Sequence, residues 1–132
     1  MGAPAFSSPL GALIEHTAAF SSRDNQRYAE CFALPFIHLW PDGDILRYEE
    51  SDQVDLFAHY ARAGLDTRHF GHTEVDEARL ILDWQHLRAY HVRFTRYALD
   101  GPELAQSEAL WVVVRAGESW KLKLRIGAER TT

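Results

Sequence analysis

The sequence predicts an α+β domain with its helices first and its sheet after them, and three observations carry that expectation. Apolar residues recur at helical spacing over Leu10–Phe20, Tyr28–Phe32 and Val54–Leu65, and from Thr73 the period changes to two. The second half is broken only at Gln85-His86, Asp100-Gly101-Pro102 and Ala116-Gly117-Glu118-Ser119. Short breaks between long strands give a mostly antiparallel meander, and helices gathered at one end of the chain pack on one face of it. With 132 residues and 46% hydrophobic content, residues 1–132 form one domain around one core.

The first helix is expected after Ser8 and Pro9, a cap and a first-turn proline, with Leu10, Leu13, Ile14, Thr17 and Phe20 as its apolar stripe to about Ser22. Asp24 caps a second helix with Tyr28, Cys31 and Phe32 facing inward, and Pro35 ends it. A strand then runs from Phe36 to Trp40, turns at Pro41-Asp42-Gly43 and returns through Ile45 to Tyr48. Ser51 or Asp52 caps a third helix whose stripe is Val54, Phe57, Ala58, Ala61 and Leu65. Four long strands follow near Thr73–Trp84, Leu87–Leu99, Leu104–Arg115 and Trp120–Ile126.

Charge and composition exclude several function classes. A net charge of −5, with Lys121 and Lys123 as the only lysines, gives no cationic surface for nucleic acid. The segment from Met1 to His16 has neither a basic start nor an unbroken apolar run, so no secretory signal and no membrane partner are expected. The single Cys31 precludes an internal disulfide and fits a reducing, cytoplasmic setting; on an inward helical stripe it reads as an inert thiol. His69 and His72 form an H-x-x-H near Glu74 and Asp76, but the segment reads as a loop entering a strand, so no metal is assigned. No phosphate loop, Walker motif or nucleophile elbow is present, and no cofactor is expected.

The order of elements, with the stretches SSRDNQRYAECF and FTRYALDG, the Pro41-Asp42-Gly43 turn and the Gly117-Glu118-Ser119-Trp120-Lys121 turn, resembles the nuclear transport factor 2-like superfamily. Within it, the resemblance is to the SnoaL-like and ketosteroid-isomerase-like group, and it covers nearly the whole chain. It implies a cone-shaped α+β barrel in which three helices and a curved sheet enclose a pocket. Its members include isomerases, dehydratases, cyclases and non-catalytic modules, so the fold alone does not choose a function. By the resemblance, the position of the isomerases' oxyanion-binding tyrosine falls on His16. Their general-base aspartate falls on Trp40, and their acidic oxyanion donor falls near Trp111. A tryptophan cannot accept a proton, so steroid-isomerase chemistry by the usual residues is not expected.

Hairpin geometry sketches the pocket wall. A two-residue Asp100-Gly101 turn pairs residues whose numbers sum to 201, placing Phe94 opposite Ser107, Val92 opposite Ala109 and Tyr90 opposite Trp111. The same register sets Arg93 opposite Glu108 as an ion pair on the outer face. The last hairpin then puts Trp111 and Val113 on one face with Trp120, Leu122 and Leu124. His38 shares a strand face with Phe36 and Trp40, and His16 enters from the first helix. Two hypotheses follow. In the first, a cofactor-independent lyase, isomerase or cyclase uses His16 and His38 for acid/base work and Tyr90 as a hydrogen-bond donor. Its small apolar or aromatic substrate rests on Phe20, Phe36, Trp40, Phe57, Phe94, Trp111 and Trp120. In the second, the same cavity serves a non-catalytic ligand-binding or dimerisation module. The outer face, with His91, Arg93, Thr95 and Tyr97 beside Leu110, Val112 and Val114, is too apolar to stay bare, and a homodimer through it is expected.

Overall fold

Six strands form one sheet in the order β2-β1-β6-β5-β4-β3, with β1 and β6 parallel and every other pair antiparallel. They are β1 Phe32–Leu39, β2 Ile45–Tyr48, β3 Phe70–Asp83, β4 Leu87–Ala98, β5 Glu103–Ala116 and β6 Ser119–Gly127, preceded by helices α1 Pro9–Ser22 and α2 Asn25–Glu30. The computed structural model describes residues 8–50, 52–54 and 70–127. Residues 52–54 are helical where the third helix was expected to begin, and Val54 is buried. The remainder of that stripe, Phe57 included, lies outside the described residues, as does His69. Among the described residues no helix is long and apolar enough to cross a membrane, and no cluster of His, Cys, Asp and Glu has the makings of a metal site.

Local chemistry sets the helix ends as expected. Ser8 caps α1 by accepting from the Gly11 N–H at 3.0 Å, and Asp24 caps α2 by accepting from the Arg27 N–H at 3.1 Å. The buried face of α1 is rotated from the expected stripe. Ala12, Leu13, His16, Thr17, Ala19 and Phe20 are buried, whereas Leu10 and Ile14 are exposed beside Val75 and Ala78 of β3. Small alanines on the inward face let α1 lie close against the sheet, which hydrophobicity alone does not register.

The second helix is shorter than expected. It stops at Glu30, Cys31 closes it, and Phe32 already begins β1, so Pro35 lies inside a strand instead of ending a helix. Proline, which has no N–H to give, is tolerated there because Pro35 falls where pairing lapses. β2 pairs with β1 only from Phe36, and the β1–β6 register jumps between Phe32 and Ile37. The Leu34–Pro35 peptide is cis.

The β4–β5 register agrees with the sequence reading: Phe94 faces Ser107, Val92 faces Ala109 and Tyr90 faces Trp111. Arg93 and Glu108 are Cα partners too, but their side chains pair elsewhere. Arg93 donates to Glu77 on β3 at 3.0 Å, and Glu108 meets His91 at 2.9 Å. Neighbours on adjacent strands compete for the same charge, and register alone does not decide the winner. The consequential departure is in β6. Val113 faces Leu122 while Val112 faces Leu124, so Lys123 is an extra residue and a bulge. A one-residue slip reverses faces. Leu124 therefore joins Val112 on the outer face, and Arg125 pairs with Trp111 on the inner one.

The core lies between α1, α2 and this inner face, built from Leu13, Phe20, Tyr28, Phe32, Val92 and Trp111 among others. Cys31 is fully buried beside it, its thiol donating to the Arg27 carbonyl at 3.3 Å, and burial pushes its pKa up to about 12. Thiolate is the reactive form. Iodoacetamide at pH 8 is therefore expected to leave the native protein unmodified and to label it once unfolded in urea; labelling of the folded protein would contradict this burial.

Candidate functional site

One row of side chains crosses the inner face of the sheet. His38 on β1 pairs with Arg125 on β6, Arg125 with Trp111 on β5, and Trp111 with Tyr90 on β4. His16 reaches this row from α1, one turn before Phe20 on the same buried face. Its Nε2 lies 3.4 Å from Arg125 Nη1. Its ring centroid is 5.0 Å from Trp111 and 5.5 Å from Phe32, both edge-on, and 5.1 Å from Tyr28. The Arg125 guanidinium sits 5.9 Å over the Trp111 ring.

The structure thus brings together His16, Trp111 and, through Arg125, His38. Tyr90 flanks Trp111 across the β4–β5 ladder, and Phe94 packs on Trp111 with centroids 5.9 Å apart. Phe20 packs on Tyr28 and Phe70. Phe36 bridges Phe32 and Tyr48, and Trp40 stacks on His38 at 3.8 Å. Trp120 stands apart from the row. It pairs with Arg115, four residues and about 13 Å along β5 from Trp111, and lies under the Arg88 guanidinium. Two open clefts among the described residues lie elsewhere. One of about 600 Å³ on the outer face is bordered by Asp76, Thr95, Tyr97 and Glu103 and touches Phe94, and another of about 520 Å³ runs between α1 and β3.

Electrostatically this interior favours neutral or negative groups. His16 is 4% exposed, and its pKa is held well below the ordinary 6.5, first by burial and then by Arg125, Arg96 and His38. It is therefore a neutral imidazole near pH 7. With Nε2 facing a guanidinium donor, its proton belongs on Nδ1. His38 is fully buried, with Nε2 3.1 Å from the Gly127 carbonyl, to which it donates. Gly127 closes β6 at φ 98, a left-handed conformation suited to glycine. Burial raises the pKa of Tyr28 and of Tyr90, so both are hydroxyl donors.

Arg125 is the residue that sequence reasoning missed. Strict alternation through Lys121, Leu122, Lys123, Leu124 and Arg125 sends it outward, and only the bulge at Lys123 turns it in. Tyr28 and Phe32 were expected in the core but not at the site, where they contact His16.

A family model described as NTF2-like protein (DUF6841) matches residues 13–126, which takes in most of α1, all of α2, the whole sheet row and the bulge. The chain belongs to this family. Its α+β architecture of helices on a bent sheet recurs in solved structures at identities that speak to fold alone. A protein of unknown function with a cystatin-like fold from Nostoc punctiforme shares 14% identity at a TM-score of 0.71, over 91% of this chain and 87% of that one. An NTF2-like protein with a cystatin-like fold from Novosphingobium aromaticivorans shares 11% at 0.67, over 92% and 79%. A ketosteroid isomerase-like protein from Erwinia carotovora shares 12% at 0.63, over 93% and 94%. No curated protein matches the chain.

Proposed function

We propose that this DUF6841 protein is a small-molecule-binding domain that holds its ligand against the aromatic inner face of the sheet, on the His38–Arg125–Trp111–Tyr90 row beneath His16. One observation supports this reading above the others. His16 Nδ1, Trp111 Nε1 and Arg125 Nε are buried without a hydrogen-bond partner among the described residues. Folded proteins satisfy nearly all such groups, and leaving one unmade costs about 1–3 kcal/mol. Trp111 and Arg125 are paired across the β5–β6 ladder, so two of these donors belong to neighbouring residues of one aromatic face. Phe94 and Tyr90 supply the flanking apolar surface, as binding pockets combine apolar walls with a few placed polar groups.

The cofactor-independent isomerase, lyase or cyclase reading adds proton transfer at the same place. Arg125 Nε, a buried donor with no partner among the described residues, lies beside Trp111 on the neighbouring strand and is of the kind that stabilises a developing oxyanion, and this favours it. His16 then orients the guanidinium by accepting from it through Nε2, and the acid/base work rests with His38. The homodimer through the outer face belongs to the same proposal, with the bulge adding Leu124 and Ile126 to Leu110, Val112 and Val114.

Mass spectrometry of the gently purified protein is expected to release a bound small molecule on denaturation. A His16→Ala or His38→Ala variant that loses turnover of that molecule while still binding it identifies an enzyme; binding without turnover identifies a carrier or sensor. An empty protein that binds no organic probe defeats the proposal.

A further inference from the structure

The chemical class of the ligand follows from Arg125, given the binding reading above. Arg125 is 9% exposed, and it carries a planar guanidinium cation. Among the described residues it faces the Trp111 ring, His16 Nε2 and the Tyr28 hydroxyl, none of them a counter-charge. Four carboxylates of the described residues are engaged elsewhere: Glu15 with Arg27, Glu77 with Arg93, Asp83 with Arg88 and Glu108 with His91. Among the described residues, the groups that act on His16 through charge are Arg125, Arg96 and His38, again with no acid among them.

The unpartnered atoms share one sign of chemistry. Arg125 Nε and Trp111 Nε1 only donate, and His16 donates through Nδ1 because its Nε2 faces the guanidinium. Donors around a fixed positive charge complement an anion. A carboxylate accepts only, offers about four lone-pair sites, and matches a guanidinium in planar geometry. We propose that the inner face binds an organic carboxylate, with Arg125 as its counter-charge through the unpartnered Nε and the Trp111 N–H as a further donor on the same face. The hydrocarbon part of the ligand lies against Tyr90 and Phe94. A neutral molecule of the same shape leaves the guanidinium uncompensated and binds worse.

Two matched pairs of probes test this at constant ionic strength by calorimetry and thermal shift: 2-naphthoate against 2-naphthamide, and acetate against acetamide. The carboxylate of at least one pair is expected to bind tenfold or more tighter than its amide, the range of a charge-assisted hydrogen bond. The preference is expected to vanish in Arg125→Met and to survive, weakened, in Arg125→Lys. Amides that bind as well as their carboxylates in every pair that binds overturn the inference while the small-molecule reading stands. If no probe of either pair binds, both fall. A carboxylate preference that persists in a folded Arg125→Met variant removes Arg125 as the counter-charge. Should that variant not fold, the wild-type pairs and Arg125→Lys still decide.

Discussion

Replacing Arg125 with Met is expected to make the unliganded protein more stable, by about 1–4 kcal/mol in urea unfolding. The effective penalty for burying an ion is several kcal/mol, and it is recovered only when a counter-charge and well-made hydrogen bonds meet it. Arg125 has no carboxylate among the described residues, and its contact with His16 is long at 3.4 Å. What opposes the penalty is the Trp111 ring at 5.9 Å, with a cation–π attraction of about 0.5–2 kcal/mol, and the Tyr28 hydroxyl. The penalty wins. Methionine fills comparable space without a charge, so the urea midpoint should rise with an unchanged slope, and the melting temperature by roughly 3–10 °C. Arg125→Lys should not share the gain, since an ammonium is more strongly hydrated than a guanidinium. A Met variant less stable than wild type would mean that the charge is already compensated. Stability given up at one residue is what a binding site, as distinct from a core position, is expected to show.

That residue was invisible in the sequence for a definite reason. The β4–β5 register could be read because a short turn with Asp100-Gly101 fixes which residues face each other, and Tyr90 opposite Trp111 follows by counting. No comparable signal marks a bulge. Lys123 sits in an unbroken alternation, and only the pairing with β5 shows that it is an extra residue. His16 was legible as a candidate by resemblance, while its environment was not: the rotation of α1 depends on the packing of Ala12 and Ala19, and those residues carry little hydrophobic signal. Pro35 misled for a related reason. A proline rule written for ladders and helices does not foresee a stretch of β1 that pairs with neither neighbour. The elements and the sheet's second half were thus local properties, whereas the chemistry of the site arises where three non-local adjustments meet.

The same interior makes a second expectation about acid. Because the folded pKa of His16 lies well below the ordinary 6.5, the unfolded chain binds a proton below pH 6.5 that the folded chain refuses. Unfolding therefore takes up a proton in that window, and stability falls as the pH falls. The slope due to this one residue approaches about 1.4 kcal/mol per pH unit below 6.5 and returns to zero only beneath the folded pKa, where both states are protonated. His16→Gln keeps an acceptor for Arg125 and cannot titrate, so its urea stability should lose that component of the slope between pH 6.5 and 5; equal slopes in the two proteins would sink the assignment. The charges responsible also say what a ligand should do. Burial is the largest cause of the imidazole's neutrality and Arg125 and Arg96 add to it, while a carboxylate bound beside Arg125 opposes both arginines by adding a negative charge within reach of the ring. A saturating carboxylate should then raise the His16 pKa and flatten the acid slope of the wild type, while leaving the slope of His16→Gln where it was.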